Sequence, residues 1–368
     1  MNPNQAPLWD STVDGSTRWA VQKAGFRLAP DLPEGPCLLL RERTAVRPEA
    51  LLLAWKLGQA RGESCSFSLD GGAGEFLKGL PGDESGPVLA YSTGGTPPAH
   101  LGEWPQVLMP SEEKSFEIEL HQSSAELFLT DRLFMALDHW VDLLWANMLG
   151  LGPRIWGRAV GRPALWAACR LTWAACRALS FRHEKIAARI TVAGEGCRVH
   201  PTAVVEACVL GRGVVVGAGA VLRGCILADH TRVEELVVCE GVVTGEKSLI
   251  QRQALLKYSV LGAEAAIGGA TQLSVMGSQS SLKRGAYGMD QSFDGDVRYR
   301  SRGLLHKAPF GLLGVCLGED SKLGAGVSVA PGRSIESGCR IIANAVVDPS
   351  IDSPGLYQNR QGRLERLK

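Results

Sequence analysis

The C-terminal half of the chain repeats an aliphatic residue at intervals of six, from Val199 to about Val346. In the clearest stretch Leu210, Val216 and Leu222 hold these positions, and Gly follows the first two. The later lead residues are Leu261, Ile267, Leu317, Leu323, Val329, Ile335 and Ile341. Neither the helical period of 3.6 nor the strand period of two fits an interval of six. Because such short strands bury apolar surface only when they stack, the pattern predicts a parallel β-helix.

The repeat is interrupted in three places. Its frame slips between Ala228 and Val233 and again near Gly245, where we expect imperfect coils. Between Ser278 and Leu313 polar and charged residues replace the repeat, which predicts a loop inserted between coils. Long loops on rigid repeats often carry binding sites, so this insertion is the first candidate for chemistry.

The N-terminal part alternates predicted strands and helices. A buried strand is expected at CLLLRER, followed by a helix from about Arg47 to Gly62. Further strands are predicted at GPVLAYST and SFEIELH, and a long amphipathic helix from Thr130 to Leu151. This alternation indicates an α/β layer. The predicted organisation is an α/β domain at 1–152, a helical connector at 153–190, a β-helix at 191–350 with the insertion at 278–313, and a C-terminal tail at 351–368.

The connector is strongly basic. Between Gly152 and Ile190 it holds seven Arg and Lys185 against Glu184 alone. A helix there would place two Trp and two Arg on one face, namely Trp166, Arg170, Trp173 and Arg177. One interpretation is an interfacial helix that makes weak contact with anionic lipid. The other is a packing helix whose Arg stems cover the first coil and pair with its acids.

Composition narrows the function classes. The chain has 368 residues, with 39 Lys and Arg against 38 Asp and Glu, and a formal net charge of +1. A net charge this small gives no electrostatic indication of a nucleic-acid partner. Its ten Cys are scattered singly, without a C-x-x-C pair or zinc spacing, and are interpreted as buried apolar residues in a reducing compartment. The start lacks a secretory pattern, and no apolar run is long enough to span a bilayer. We therefore expect a cytoplasmic protein.

Three segments resemble known families. Ala136–Leu151 is similar to the handover between the two domains of bifunctional sugar-1-phosphate nucleotidylyltransferase/acetyltransferases, and Leu313–Ile341 to their last coils. Val199–Leu222 resembles their opening coils and those of UDP-N-acetylglucosamine acyltransferases. The resemblance implies a left-handed parallel β-helix of hexapeptide repeats, preceded by a smaller α/β domain that corresponds to a reduced nucleotidylyltransferase domain.

The N-terminal part departs from that family. A nucleotidylyltransferase cradles phosphates with a Gly-rich loop that follows a strand and precedes a Lys. Here Gly25, Arg27 and Pro30 match part of that loop, but no aliphatic strand precedes them and no Lys follows Pro33. We therefore expect a surface loop and no tight binding of nucleoside triphosphate.

The insertion supplies the candidate site residues. His306 is the predicted general base, and Lys283, Arg284, Asp290, Arg298 and Lys307 are the predicted substrate-binding residues. These residue types could bind the phosphates of a sugar nucleotide or of acetyl-CoA or another acyl-CoA. The sequence lacks the three-His set of β-helical zinc enzymes, so no metal is implied. Alternatively, the insertion pairs its own charges or clasps a neighbouring subunit.

Two function classes remain open. The first is a hexapeptide-repeat transferase acting on a sugar nucleotide or related amino sugar, with acyl or acetyl transfer favoured. The second is a non-catalytic β-helix protein used for assembly or regulation. In both function classes we expect a homotrimer. Flat sheet faces that carry aliphatic residues such as Val215, Val221 and Val237 are suited to pairing between copies of the chain.

Overall fold

A computed structural model gives the fold of most of the chain. It describes residues 7–8, 11–29, 35–82, 86–94, 97–98, 100–110, 114–120, 123–130, 132–159, 190–293, 295–361 and 363–367. The predicted connector at 153–190 therefore lies largely outside the described residues. The chain forms two compact units, one mainly from Thr12–Pro153 and the other mainly from Arg154–Lys368.

The described residues that precede the β-helix form short strands and four α-helices. In chain order they are β1 (Pro7–Leu8), β2 (Ser11–Thr12), α1 (Val13–Lys23), β3 (Cys37–Leu40), β4 (Thr44–Val46), α2 (Pro48–Arg61), β5 (Cys65–Leu69), α3 (Gly71–Leu77), β6 (Leu89–Ser92), β7 (Gln106–Met109), β8 (Lys114–Leu120), β9 (Ser123–Leu129), β10 (Phe134–Ala136) and α4 (Trp140–Ala159). A four-stranded mixed sheet has the order β3-β6-β5-β7, with β5 and β7 parallel. We call this first compact unit the α/β unit.

The last helix of this group starts later than its amphipathic pattern predicts. The residues before it form β10, which pairs antiparallel with β4, and the helix begins at Trp140. Asp142 explains the boundary, because its carboxylate accepts the backbone N–H groups of Asp138 and His139 at 3.1 and 2.8 Å. A third N–H, that of Gly82, donates to the same carboxylate at 3.0 Å. Asp142 is completely buried, and desolvation raises the pKa of its carboxyl to about 7.

The second unit contains the predicted β-helix. Its strands are β11 (Val192–Ala193), β12 (Arg198–Val199), β13 (Val204–Glu206), β14 (Val209–Leu210), β15 (Val215–Val216), β16 (Val221–Arg223), β17 (Ile226–Leu227), β18 (Arg232–Val233), β19 (Val238–Glu240), β20 (Val243–Thr244), β21 (Leu249–Ile250), β22 (Leu255–Lys257), β23 (Val260–Leu261), β24 (Ala266–Ile267), β25 (Ala270–Gln272), β26 (Val275–Met276), β27 (Ser281–Leu282), β28 (Tyr287–Gly288), β29 (Arg298–Ser301), β30 (Leu304–Lys307), β31 (Cys316–Leu317), β32 (Lys322–Leu323), β33 (Ser328–Val329), β34 (Ser334–Ile335), β35 (Arg340–Ile341), β36 (Val346–Val347), β37 (Leu356–Arg360) and β38 (Arg363–Arg366).

These strands build three sheets around one apolar core. The first sheet has the order β11-β14-β17-β20-β23-β26-β31-β34, the second β12-β15-β18-β21-β24-β27-β32-β35-β37-β38, and the third β13-β16-β19-β22-β25-β28-β33-β36. All neighbours are parallel except β37 and β38. The core holds the aliphatic lead residues and the predicted apolar Cys residues Cys208, Cys225, Cys239 and Cys339. The predicted mainly-β fold class, a β-helix preceded by a smaller α/β region, is confirmed.

Coil length explains why the repeat slips in sequence. In the early coils Val209 pairs with Ile226, seventeen residues later, whereas in the late coils Cys316 pairs with Ser334, eighteen residues later. Each seventeen-residue coil is one residue shorter than a late coil, and it is shorter at the corner between the third and first sheets. At this corner one residue of each early coil has positive φ. These residues are Ala207, Gly224, Gly241, Tyr258 and Leu273. A short, tight corner therefore shifts the frame without breaking the stack.

The insertion is shorter than the sequence predicts, and the C-terminal tail is structured. Strands β27 and β28 pair with the coils on either side, so the chain leaves the repeat only after Gly288 and rejoins it at β31. At the C-terminus, β37 extends the second sheet and β38 pairs with it.

The outward-facing positions differ between the sheets. In the second sheet they include charged residues such as Arg198, Arg232 and Lys322, and in the first sheet most are aliphatic. The third sheet has one aliphatic row beside one row that includes charged residues. Val221 belongs to the third sheet, but Val237, which we expected on an outer face, is completely buried in the core. It occupies the inward position that precedes a strand. No helix among the described residues is both long and apolar enough to cross a membrane.

Candidate functional site

The insertion is a β-hairpin that stands on one corner of the β-helix. Strands β29 and β30 pair antiparallel, and Arg302 and Gly303 join them. Both turn residues have positive φ, 48° and 82°, which is the geometry of a type I′ turn. The interruption of the repeat predicts a loop here, and the structure has a paired hairpin instead. The sequence signal of the hairpin is VRYRSRGLLHK, two strand-forming runs separated by two residues that end in Gly.

Backbone contacts hold the base of the hairpin. The N–H of Ala308 donates to the carbonyl of Val297 at 2.8 Å, and that of Leu313 to the carbonyl of Asp290 at 3.0 Å. On a later coil, Arg333 donates through Nη1 to the carbonyl of Arg298 at 3.2 Å. Val297, Ala308 and Leu313 are buried, so the hairpin rises from a packed base.

His306 lies on the side of the hairpin that faces Tyr299. The two residues are cross-strand partners, and their rings stack with centroids 5.5 Å apart and planes 21° apart. Tyr299 is 1% exposed, whereas His306 is half-buried. A buried partner ring restricts the rotation of the imidazole, which therefore has a defined orientation, with its Nε2 buried.

Cationic side chains occupy the other side of the same hairpin. Arg298 and Lys307 are exposed cross-strand partners, and Arg300 is exposed on β29. Lys307 forms an ion pair with Asp296 at 2.7 Å, so its charge is partly compensated. Arg300 forms no ion pair with any carboxylate of the described residues.

The remaining predicted residues are separated from this group. Lys283 and Arg284 are exposed at the corner between the second and third sheets, before β28, whereas the hairpin follows β28. Within one chain, the width of the third sheet therefore separates them from His306. Asp290 is half-buried and contributes its backbone carbonyl to the base of the hairpin.

Gln272 is a polar residue beside the insertion that our sequence analysis did not select. It ends β25, in a row of third-sheet residues that otherwise form ion pairs, Arg223 with Glu206 at 3.0 Å and Lys257 with Glu240 at 3.3 Å. Its Nε2 is buried and has no hydrogen-bond partner among the described residues. The sequence could have indicated Gln272, since this residue lies where the charged row ends and the insertion follows in the next coil.

The other described histidines have structural surroundings. His200 accepts the N–H of Thr202 through Nδ1 at 3.2 Å and so closes a turn, and His230 is an exposed corner residue with φ 60°. No group of three potential metal ligands occurs among the described residues. In the α/β unit, Gly25 is an exposed turn residue that follows α1, a helix rather than the strand that a phosphate cradle requires.

Comparison with known proteins finds similarity in structure alone. No protein-family model matches the sequence, and no curated protein is similar to it. Among solved structures, the polysialic acid O-acetyltransferase OatWY is 14% identical, with 48% of this chain and 87% of that chain covered and a TM-score of 0.22. The UDP-N-acetylglucosamine acyltransferase of Francisella novicida is 13% identical, with 48% and 67% covered and a TM-score of 0.21. AntD, an N-acyltransferase from Bacillus cereus, is 17% identical, with 43% and 81% covered and a TM-score of 0.27.

At these identities and TM-scores the likeness carries no argument about the fold or the function of this chain. The three solved structures named above are acyltransferases, and the more specific resemblance to nucleotidylyltransferases stays a prediction.

Proposed function

We propose that the protein transfers an acyl group from acetyl-CoA or another acyl-CoA to an amine or hydroxyl of a sugar nucleotide or amino sugar. The observation that carries this proposal is the orientation of His306 on the hairpin, between the buried ring of Tyr299 and solvent. A general base needs a fixed direction and access to its substrate. The stacked ring supports the first, and the second requires that substrate binding uncover Nε2, which is buried in the chain alone.

The chemistry requires one proton transfer and one acyl transfer. A neutral His306 accepts the proton of the acceptor hydroxyl or amine, and the oxygen or nitrogen attacks the thioester carbonyl carbon. The carbon–sulfur bond then breaks, and the proton passes from the imidazolium to the departing CoA thiolate. A positioned base of this kind contributes about 10²- to 10⁴-fold in rate.

Residues for the phosphate groups are available on the opposite face of the hairpin from His306. Arg298 and Arg300 are exposed on the same hairpin and could bind the phosphates of either substrate. Lys307 is less suited, because Asp296 already pairs with it. Lys283 and Arg284 could contribute only if a second chain brought its own corner to the hairpin.

The proposed assembly is a homotrimer that pairs through the third sheet. Its outward row includes the exposed side chains Val238, Leu255 and Tyr287, which have no cover within the described chain. The hairpin adds Leu304 and Leu305, each 63% exposed. An apolar surface of this extent is typical of an interface between copies.

Turnover by purified protein is the direct test. The full chain is incubated with acetyl-CoA and a panel of UDP- and dTDP-amino sugars, and release of the CoA thiol is measured. A parallel assay with nucleoside triphosphate and sugar-1-phosphate addresses nucleotidyl transfer. Absence of both activities across the panel would favour the alternative, a non-catalytic assembly or regulatory protein.

The role of His306 is tested by substitution once an acceptor is known. We expect His306→Ala to lower kcat by about 10²- to 10⁴-fold, because a general base is removed. His230→Ala is the matched control, since it removes an exposed histidine from a corner. Full turnover in His306→Ala, with unchanged assembly and melting, would exclude this residue from the mechanism.

A further inference from the structure

The α/β unit contains a cavity of about 390 Å³. Its walls come from the carboxyl end of β5, from α3 and the chain after it, from the residues just before β6, from β7 and from β10. The buried apolar side chains that line it include Phe67, Leu69, Leu77, Leu80, Val88 and Phe134. A cavity of this volume and lining is within the range of small-molecule sites.

The cavity has a mouth on the surface. Lys78, Gln106 and Leu108 also line it, and all three are exposed, with Leu108 59% exposed. A ligand can therefore reach the apolar interior without unfolding the unit.

One polar side chain of the cavity wall has a buried hydroxyl, which a ligand would reach by a rotation of that side chain. Ser68 lines the wall, and its Oγ is buried with no hydrogen-bond partner among the described residues. A buried hydroxyl without a partner costs free energy, and an oxygen atom of a ligand would remove that cost.

The described lining does not suit a phosphate. Lys78 is the one cation among the lining residues that the structure describes, and Glu75 already pairs with it at 2.5 Å. Nucleotides and sugar phosphates would therefore lack a counter-charge here.

The inner wall is fixed rather than open to collapse. Gly82 lies against β10 so closely that a Cβ on it would be 2.6 Å from the carbonyl oxygen of Ala136. Its N–H donates to Asp142, and both Gly82 and Ala136 line the cavity. Preformed walls of this kind lower the cost of binding.

We propose that this cavity binds an uncharged aliphatic molecule with one oxygen function, such as a medium-chain alcohol or ester, whose oxygen hydrogen-bonds to Ser68. The site is separate from the hairpin and does not depend on acyl transfer. The proposed ligand differs in chemical class from the nucleotides that the resemblance of the α/β unit to nucleotidylyltransferases would imply.

Octan-1-ol is the probe for the test, with titration calorimetry on the full chain. We expect saturable binding of one molecule per chain, and no binding of UDP at the same site in competition. Absence of saturable binding by the wild-type protein would overturn the proposal.

Two variants at the mouth and one control locate the site. Leu108→Trp should block the mouth and weaken binding at least about tenfold, and Gln106→Trp is the second variant should the first fail to fold. Leu52→Trp places the same ring on an exposed position of α2, which does not line the cavity, and should leave the affinity within about twofold. Equal affinity in the mouth variants and the control would contradict this location.

Ser68→Ala tests the hydrogen bond. Losing one neutral hydrogen bond weakens binding by about 2- to 10-fold. The affinity for octane, measured in the same way, should be the same in this variant as in the wild-type protein, because octane has no oxygen. An unchanged affinity for octan-1-ol would show that the hydroxyl is satisfied by water and would overturn its assigned role.

Discussion

Two outward-facing rows of the β-helix have similar side chains and opposite surroundings. In the first sheet the row contains Val209, Ile226, Val243, Val260 and Val275, which are 0 to 3% exposed. In the third sheet the row contains Val204, Val238, Leu255, Tyr287 and Val346, which are 37 to 57% exposed. One aliphatic face is thus buried within the chain, and the other is available to a second molecule.

The comparison shows that an aliphatic residue in the repeat can have one of two roles, in the core or on an outer surface. The inward residue of each strand belongs to the core whatever else the chain does. The outward residue marks a surface that something covers, but its identity does not say whether the cover belongs to the same chain. The three predictions that follow test that difference.

The largest effect is expected from a charge in the buried row. Val260→Asp places an unpaired carboxylate where exposure is 0%, so it should lower the free energy of unfolding by about 3–5 kcal/mol. Thermal and denaturant unfolding of the full chain measure this. Leu236→Asp, at a corner residue that is 55% exposed with φ 57°, is the control and should change stability by about 0.5 kcal/mol or less. Similar losses in both variants would mean that the two environments do not differ.

A charge in the exposed row should act on assembly instead. Leu255→Asp removes an apolar contact from the proposed trimer interface and places three carboxylates near one axis. Light scattering should give a trimer for the wild-type protein and a monomer for the variant at micromolar concentration, with the fold retained. A wild-type monomer, or a variant that stays trimeric, would refute pairing through this face.

The smallest effect concerns thiol reactivity. Cys316 holds an outward position of the first sheet and is half-buried, and desolvation raises the pKa of its thiol to about 12. Because the thiolate is the reactive species, alkylation at pH 8.5 should be at least about tenfold slower at Cys316 than at a cysteine introduced by Val238→Cys. Mass spectrometry of iodoacetamide-treated protein under monomeric conditions measures both sites. Equal rates would indicate that the rows are equally accessible.

The sequence predicts the repeat well and its exceptions poorly. Inward residues such as Leu210 and Ile341 follow from the interval of six, since each coil uses the same position. The seventeen-residue coils were hidden, because the shortened corner depends on a residue with positive φ, such as Ala207 or Tyr258, that no sequence pattern marks. The sheet with a covered outer face was equally hidden, since Val260 and Leu255 are chemically alike.

The candidate site was only partly predictable. The sequence predicts His306, Arg298 and Lys307 as site residues; all three lie on the hairpin, with His306 on one face and Arg298 and Lys307 on the other. The grouping with Lys283 and Arg284 came from sequence proximity, which ignores that a strand of the third sheet intervenes. The stacked Tyr299 and the buried amide of Gln272 depend on tertiary neighbours and had no counterpart in the linear pattern.

The buried carboxyl of Asp142 makes folding a proton-uptake reaction. Its pKa is about 7 in the folded protein, mainly through desolvation, and near 3.8 in the unfolded chain. Stability from this group is therefore fully present below about pH 4 and is lost as the pH rises to about 7. Unfolding at pH 5.5 should release one proton to the buffer. Calorimetric unfolding enthalpies measured in two buffers should then differ by the difference between the ionisation enthalpies of the buffers, for one proton. Asp142→Asn should remove this difference.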